Sequence, residues 1–307
     1  MKGARSGGLA GGLAGRLVGV PAIAALLLAA LPSWGATRKP AQPATPQLRS
    51  ESALVLDAGT ADVLLARNAA TPGSIASITK LMTALVVLEA GQPLDEMLTI
   101  GKDDALKARG TPSRLVPGTR LTRAELLHLA LMSSENRAAQ AVASSYPGGL
   151  AACIAAMNQK AQALGMTHAH FVDPTGLGAG NVASPQDLAR LVEAAAANAT
   201  IREYSTDPSH EVRIGRQLLE YRNTDSLVRD RDWDVIVQKT GYTRDAGRCL
   251  VLKARVDGRA LVIVLLDSYG KHTRVADARR IRKWLGAQAS LGTQASPLGG
   301  ALASAGR

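Results

Sequence analysis

The order of strand-like and helix-like segments is the feature that most restricts how this chain can fold. Strand-like runs of apolar and β-branched residues occur near both ends of its body, and helical periodicity fills the interval between them. The strand-like segments are 53–56, 63–65, 233–238, 248–256 and 260–266. This order predicts an α/β (α+β) fold, in which one antiparallel sheet is flanked by helices that include a helical subdomain.

The predicted helices are marked by residues that start and stop them. Thr122 and Glu125 have the spacing of a capping box, Ser184 is a cap in front of Pro185, and Gly91 follows an apolar helical segment. The predicted helices are 77–90, the one after Thr122, 136–145, 149–164, 185–197 and a closing helix that carries Ile281, Trp284 and Leu285. Asp257-Gly258 joins the last two strands as a tight hairpin.

The two ends of the chain differ from its body in composition. Lys2, Arg5 and Arg16 precede an apolar stretch from 17 to 31 and then small residues, which is typical of a secretory signal. We predict a signal peptide at 1–36, a Pro-rich linker at 37–49, a functional domain at 50–286 and a disordered tail at 287–307. A retained N-terminal anchor is the alternative. Either way, the body is expected to be extracytoplasmic, in the periplasm.

The charge balance limits the kinds of molecule that the chain is expected to bind. Lys and Arg number 36 against 25 Asp and Glu, a formal net charge of +11. Outside the cytoplasm such a chain favours anionic surroundings, so we expect loose association with membrane or wall, unless the charge serves only solubility. Nucleic acid is not expected as a partner, because aromatic residues make up only 3% of the chain and give no base-stacking surface.

The first chemical motif is Ser77-Ile78-Thr79-Lys80. A spacing of three residues places the hydroxyl and the amine on one face of a helix. Serine becomes a nucleophile when a base takes its proton, and a neutral lysine amine is such a base. The pattern is weak alone, because Ser268-Tyr269-Gly270-Lys271 repeats it.

Two further motifs each have a structural and a chemical interpretation. Ser134-Glu135-Asn136 lies between two predicted helices, where it either caps them or directs a hydroxyl and an amide into a cleft. Lys239-Thr240-Gly241 ends a predicted strand, where it either forms a turn or binds a carboxylate beside a glycine that admits a substrate backbone.

In this order the three motifs are typical of penicillin-recognising acyltransferases. Over 50–285 the chain resembles the low-molecular-weight penicillin-binding proteins, the serine D-alanyl-D-alanine peptidases, and within them the D-alanyl-D-alanine endopeptidases. The segments that carry this resemblance are 74–84, 131–139, 146–149, 173–177 and 239–243. It implies a β-lactamase/transpeptidase-like fold, peptidoglycan peptide stems as substrate, β-lactams as covalent inhibitors, and no cofactor.

The resemblance also implies a role for each motif residue. Ser77 would attack a D-Ala carbonyl, Lys80 would be the base, and Ser134 would pass the proton to the leaving amine. The expected substrate-binding residues are Asn136, Lys239, Thr240, Gly241, Tyr242 and Thr243, with the N–H groups of Ser77 and Tyr242 as the oxyanion hole. Burial and repulsion from Lys239 are both expected to lower the pKa of Lys80.

Several alternatives stay open at this point. A D-alanyl-D-alanine carboxypeptidase attacks the same acyl group, and a non-catalytic β-lactam-binding or wall-binding protein would share the motifs. Arg274 is a weaker carboxylate ligand, for which a surface role is the stronger expectation. The five histidines lack a convincing ligand spacing, so no metal site is predicted, and Cys153 and Cys249 are expected to be free thiols. The chain has no Glu-x-x-Leu-Asn of class A β-lactamases, which predicts a long-lived penicilloyl adduct.

Overall fold

A computed structural model describes residues 44–107 and 112–294 of the chain. The predicted signal peptide, most of the linker and residues 295–307 lie outside the described residues. The strands are β1 (Ser50–Asp57), β2 (Val63–Arg67), β3 (Gly73–Ser74), β4 (Met97–Thr99), β5 (Arg120–Thr122), β6 (Val182–Ala183), β7 (Ser209–Ile214), β8 (Gln217–Arg222), β9 (Asp234–Thr243), β10 (Gly247–Val256) and β11 (Arg259–Ser268).

All but the last of the described helices lie between the first and last strands, and the last one closes the fold, as the sequence predicts. They are α1 (Thr79–Glu89), α2 (Lys102–Lys107), α3 (Arg123–Met132), α4 (Asn136–Ser144), α5 (Gly149–Ala163), α6 (Pro185–Ala197), α7 (Ala199–Thr206) and α8 (Thr273–Gln294). Both predicted caps are present, because Thr122 and Glu125 form a capping box on α3 and Ser184 and Asp187 form one on α6. None of the described helices is long and apolar enough to cross a membrane.

A five-stranded antiparallel sheet in the order β2-β1-β11-β10-β9 forms the centre of the fold. The first and last of the described strands meet in it, since Leu54 of β1 pairs with Val264 of β11. Side chains alternate between its faces: Val262 and Val264 enter one apolar cluster, whereas Ile263 and Leu265 enter the other. The predicted antiparallel sheet flanked by helices is therefore confirmed.

The two faces are covered differently. On one face α8 packs over β1, β10 and β11 through Ala278, Ile281, Trp284 and Leu285. On the other face α6 packs over the same three strands and forms part of a helical layer. At the centre of this layer, α1 is buried from Thr79 to Val87, so it is covered on all sides.

Two expectations about the chain ends need correction. The closing helix continues to Gln294, so residues 287–294 are helical where a disordered tail was expected. Gly286 costs a helix only about 1 kcal/mol, and the Ala and Gln residues after it are good helix formers. At the other end, Leu48 of the predicted linker is buried in the α8-side cluster and Arg49 N–H donates to Asp277.

Candidate active site

Ser77 lies in a tight 3₁₀ turn, Ala76–Ile78, that leads directly into α1. Its neighbours Ala76 and Ile78 are buried while Ser77 itself is half-buried, so its side chain reaches the surface of the helical layer. Ala76 has a φ of 47°, in the left-handed region that alanine rarely adopts. Such a conformation costs about 1–3 kcal/mol and persists only when surrounding contacts hold it.

Lys80, in the first turn of α1, is enclosed by three acceptors. Its Nζ lies 2.8 Å from Ser77 Oγ, 2.6 Å from Asn136 Oδ1 and 2.7 Å from the carbonyl oxygen of Thr175. The side chain is buried, with 1% of its surface exposed. The amine therefore has a fixed position against the Ser77 hydroxyl.

The surroundings of Lys80 favour its neutral form. Burial lowers the pKa of Lys80 from its ordinary 10.5 to about 7, although the carboxylates of Asp173 and Glu135 act in the opposite direction. Burial is thus the largest cause of the shift. Repulsion between the two lysines was expected to lower the pKa of Lys80. It acts on Lys239 instead, because Lys80 contributes to lowering the pKa of Lys239.

The turn after Asp173 supplies one of the acceptors of Lys80. Asp173 Oδ1 accepts hydrogen bonds from the backbone N–H groups of Thr175 and Gly176 at 2.7 and 2.8 Å, and from Thr175 Oγ1 at 2.6 Å. Asn181 Oδ1 accepts from the Asp173 N–H, at 3.2 Å. The sequence alone offered no reason to assign these residues a role. Lys80 contacts the main-chain carbonyl of Thr175, and every residue type has such a carbonyl.

Gly176 allows this turn to approach the Ser77 segment. A Cβ atom built on Gly176 would lie 1.8 Å from the carbonyl oxygen of Ala76, and its φ is +81°. Only glycine satisfies both requirements. The turn therefore holds the strained Ala76 in place while it presents the Thr175 carbonyl to Lys80.

Ser134, Glu135 and Asn136 form the junction between α3 and α4, as the sequence predicts. Ser134 has a φ of 61° and is half-buried, so it is a second non-glycine residue at the site in the left-handed region. Glu135 caps α4 through the Arg137 N–H and also accepts from Ser113 Oγ at 2.8 Å. Asn136 begins α4, and its side-chain oxygen Oδ1 accepts a hydrogen bond from Lys80. The sequence predicted a role for Asn136 in holding substrate but not this contact.

The third motif lies on β9, an edge strand of the central sheet. Gly241 passes so close to the Ser77 turn that an added Cβ would lie 2.9 Å from the carbonyl oxygen of Ile75 and 3.1 Å from the backbone nitrogen of Ser77. Thr240 Oγ1 lies 2.6 Å from Thr224 Oγ1. The edge of β9 and the start of α1 therefore form two walls of one site.

Lys239 is fully buried, and its Nζ donates to the carbonyl oxygen of Thr240 at 2.9 Å. Its pKa is held well below the ordinary value, first by burial and then by repulsion from Lys80 and Arg274, whereas Asp225 acts to raise it. Arg274 is half-buried, and its buried Nε and Nη1 have no hydrogen-bond partner among the described residues. This position contradicts the expected surface role of Arg274.

The end of β9 is more open. Tyr242 is 55% exposed, and the Arg248 guanidinium lies 4.4 Å from the centre of its ring. Thr243 Oγ1 accepts from the Ala246 N–H at 3.1 Å, so this hydroxyl also stabilises the turn into β10.

Among the described residues, a group of three side chains able to hold a metal occurs outside this site, at His128, Asp207 and His210.

The fold and the convergence of the three motifs define a class, the serine acyl-transfer enzymes. A family model described as D-alanyl-D-alanine carboxypeptidase matches residues 38–270. The chain belongs to this family of serine D-alanyl-D-alanine peptidases, as the motifs predicted.

Two curated relatives agree with the more specific resemblance. A D-alanyl-D-alanine endopeptidase of Pseudomonas aeruginosa is 45% identical over 245 residues, which cover 79% of each chain. A D-alanyl-D-alanine endopeptidase of Escherichia coli is 40% identical over 242 residues, or 78% of each chain. Among solved structures, a Streptomyces DD-transpeptidase has a TM-score of 0.73 and 28% identity over 79% of this chain and 98% of its own. The predicted transpeptidase-like fold is confirmed.

Proposed function

We propose that this protein is a peptidoglycan D-alanyl-D-alanine endopeptidase that cleaves D,D-crosslinks through an acyl-enzyme on Ser77. The observation that carries the proposal is the buried Lys80 amine, held 2.8 Å from Ser77 Oγ by two further acceptors. The names of the P. aeruginosa and E. coli relatives support the endopeptidase specificity.

The contacts of Lys80 support a role as general base. A neutral amine has two hydrogens and one lone pair, and Asn136 Oδ1 and the Thr175 carbonyl accept the two hydrogens. The lone pair is then directed at the Ser77 hydroxyl. As Ser77 Oγ bonds to the D-Ala carbonyl carbon, its proton passes to Lys80, and the resulting ammonium keeps three acceptors.

Substrate binding is proposed along the free edge of β9. An extended peptide can add to an exposed sheet edge through main-chain hydrogen bonds, and Gly241 leaves room for it next to Ser77. The N–H groups of Ser77 and Tyr242 would hold the oxyanion. Lys239 and Thr240, with Thr243 and Arg274 further along, would bind the carboxylate beyond the cleaved bond.

The second half of the reaction needs a proton for the leaving amine and a water for the acyl-enzyme. The strained Ser134 is proposed to relay the proton to the amine, with Asn136 positioned to hold both Lys80 and the acyl side of the peptide. Water then hydrolyses the ester and releases the shortened stem. Without the extra glutamate of class A β-lactamases, a penicilloyl ester on Ser77 should persist.

The cellular location is part of the proposal. A basic and then apolar N-terminal segment supports export by a signal peptide at 1–36, followed by a linker at 37–49 and the peptidase domain at 50–286. The cationic chain would be retained loosely near anionic wall polymer or membrane. The site would then face peptidoglycan in the periplasm.

Digestion of defined muropeptides tests the proposal. Crosslinked dimers should be converted to monomers, whereas uncrosslinked pentapeptides should lose their terminal D-Ala slowly or not at all. Preferential release of terminal D-Ala would instead identify a D,D-carboxypeptidase. A Ser77→Ala variant should lose both hydrolysis and covalent penicillin labelling; wall binding without either activity in the unmodified chain would identify a non-catalytic binding protein.

A further inference from the structure

A cluster of His128, Asp207 and His210 lies outside the active site. His128 is in the middle of α3, Asp207 follows the last residue of α7, and His210 is on β7. Each offers one ligand atom, and these atoms lie within 4.8 Å of one another. We propose that these three side chains form a binding site for a divalent zinc ion that joins α3, the end of α7 and the β7–β8 hairpin.

The arrangement of His128 favours a ligand over simple packing. The residue is buried, with 5% of its surface exposed, and its ring stacks between Tyr204 at 4.5 Å and His210 at 4.0 Å between centroids. Its Nε2 lies 2.9 Å from Asp207 Oδ2, yet the contact lacks the alignment of a hydrogen bond. This buried ring nitrogen has no hydrogen-bond partner among the described residues and lies within 4.8 Å of a ligand atom of each of the other two residues.

The donor set suits zinc. Two imidazoles and one carboxylate are common zinc ligands, with metal–ligand distances of about 2.0–2.2 Å and water completing a tetrahedron. Such a tetrahedron places ligand atoms about 3.4 Å apart, so side-chain movements of about 1 Å would close the site.

The surroundings give the ion access and a structural consequence. The Asp207 side chain is 41% exposed, so an ion can enter from solvent. The neighbouring Ser205 carbonyl accepts from Gln238 Nε2 at 2.6 Å, and Gln238 precedes Lys239 on β9. A bound ion would therefore stabilise the layer behind the site without contacting the motif residues.

Isothermal titration of the full chain with Zn²⁺, after treatment with chelator, tests this inference. We expect one ion per chain with a micromolar or lower Kd, and a rise in Tm on loading. The half-buried His210 is the best position for the test, because His128→Gln could disturb the core. His210→Gln and Asp207→Asn should each weaken binding at least about 100-fold.

His168→Gln is the matched control. His168 Nδ1 lies 3.8 Å from Asp187 Oδ2, so it is also a histidine beside an aspartate, but it has no third ligand among the described residues. This variant should bind Zn²⁺ like the unmodified chain. The inference is overturned if the unmodified chain does not bind the ion, or if His210→Gln and Asp207→Asn bind it with unchanged affinity.

Discussion

The two faces of the central sheet are formed by the same strands but are covered by side chains of different kinds. The face under α8 is filled mainly by aliphatic side chains with Trp233 and Trp284. Its ion pairs include Arg279–Asp230 at 2.9 Å and Arg282–Asp232 at 2.8 Å at the rim. The layer on the other face buries two lysine amines, Lys80 and Lys239. This fold therefore separates the apolar packing that stabilises it from the strained and charged groups of the proposed active site.

The free-energy cost of the buried amine and of the strained residues shows why such a separation is useful. Lowering the pKa of Lys80 from 10.5 to about 7 costs about 4 kcal/mol of folding free energy at neutral pH. The left-handed Ala76 and Ser134 add about 1–3 kcal/mol each. A domain is stable by only about 5–15 kcal/mol, so the apolar face must offset much of this cost.

The largest expected effect is a difference in acylation rate between variants of Lys80 and Lys271. These are the lysines of the two Ser-x-x-Lys sequences, and Lys271 lies just before α8. Lys80→Met removes the proposed base, so the rate of acylation by a fluorescent penicillin should fall about 10³-fold. Lys271→Met changes an exposed side chain and should leave the rate within about twofold. If Lys80→Met retained a tenth of the rate, another group would have to be the base.

Two glycines with the same backbone angle sharpen the comparison. Gly176 and Gly258 both have a φ of +81°, but a Cβ would meet Ala76 at the first and nothing within 4 Å at the second. Gly176→Ala should therefore slow acylation about 100-fold by displacing the Ser77 turn. Gly258→Ala should lower stability by about 1 kcal/mol and leave acylation unchanged. Equal acylation rates would show that the approach of the turn is not needed.

Stability should depend on pH through the buried amine. Because the folded-state pKa of Lys80 lies below the unfolded value, the unfolded chain binds more protons between about pH 7 and 10.5, and stability rises across that interval. From about pH 7 to 9 the unfolding free energy should rise about 2 kcal/mol more in the unmodified chain than in Lys80→Met. Urea unfolding at the two pH values measures this; parallel curves would contradict a depressed pKa.

The smallest effect is expected at the rim of the α8 face. The Arg279 side chain is 58% exposed, and ion pairs in this setting contribute about 0–1 kcal/mol. Arg279→Ala should thus change the urea midpoint little and acylation not at all. A loss of several kcal/mol would show that charge pairing, and not apolar packing, holds α8.

Regular elements and chemical side chains could be predicted from the sequence, whereas contacts made by the backbone could not. Alternation and caps were sufficient for β1, β10, β11, α3 and α6. The motifs led to Ser77, Lys80 and Lys239 as proposed site residues. The β7–β8 hairpin was missed because its apolar alternation is short: in β7 only Val212 and Ile214 alternate with the exposed charged residues beside them. Thr175 was missed because it acts through its carbonyl oxygen, and the His128 cluster because its members are distant in sequence.

The pH dependence of Ser77 acylation tests the central claim most directly. The rate constant for formation of the penicilloyl ester, with the adduct mapped to Ser77 by mass spectrometry, should be measured from about pH 5 to 10. If neutral Lys80 takes the serine proton, the rate should be half-maximal near pH 7, constant above it, and about tenfold lower for each pH unit below it. A rate that still rises tenfold per unit between about pH 8 and 10, or one independent of pH, would contradict the account.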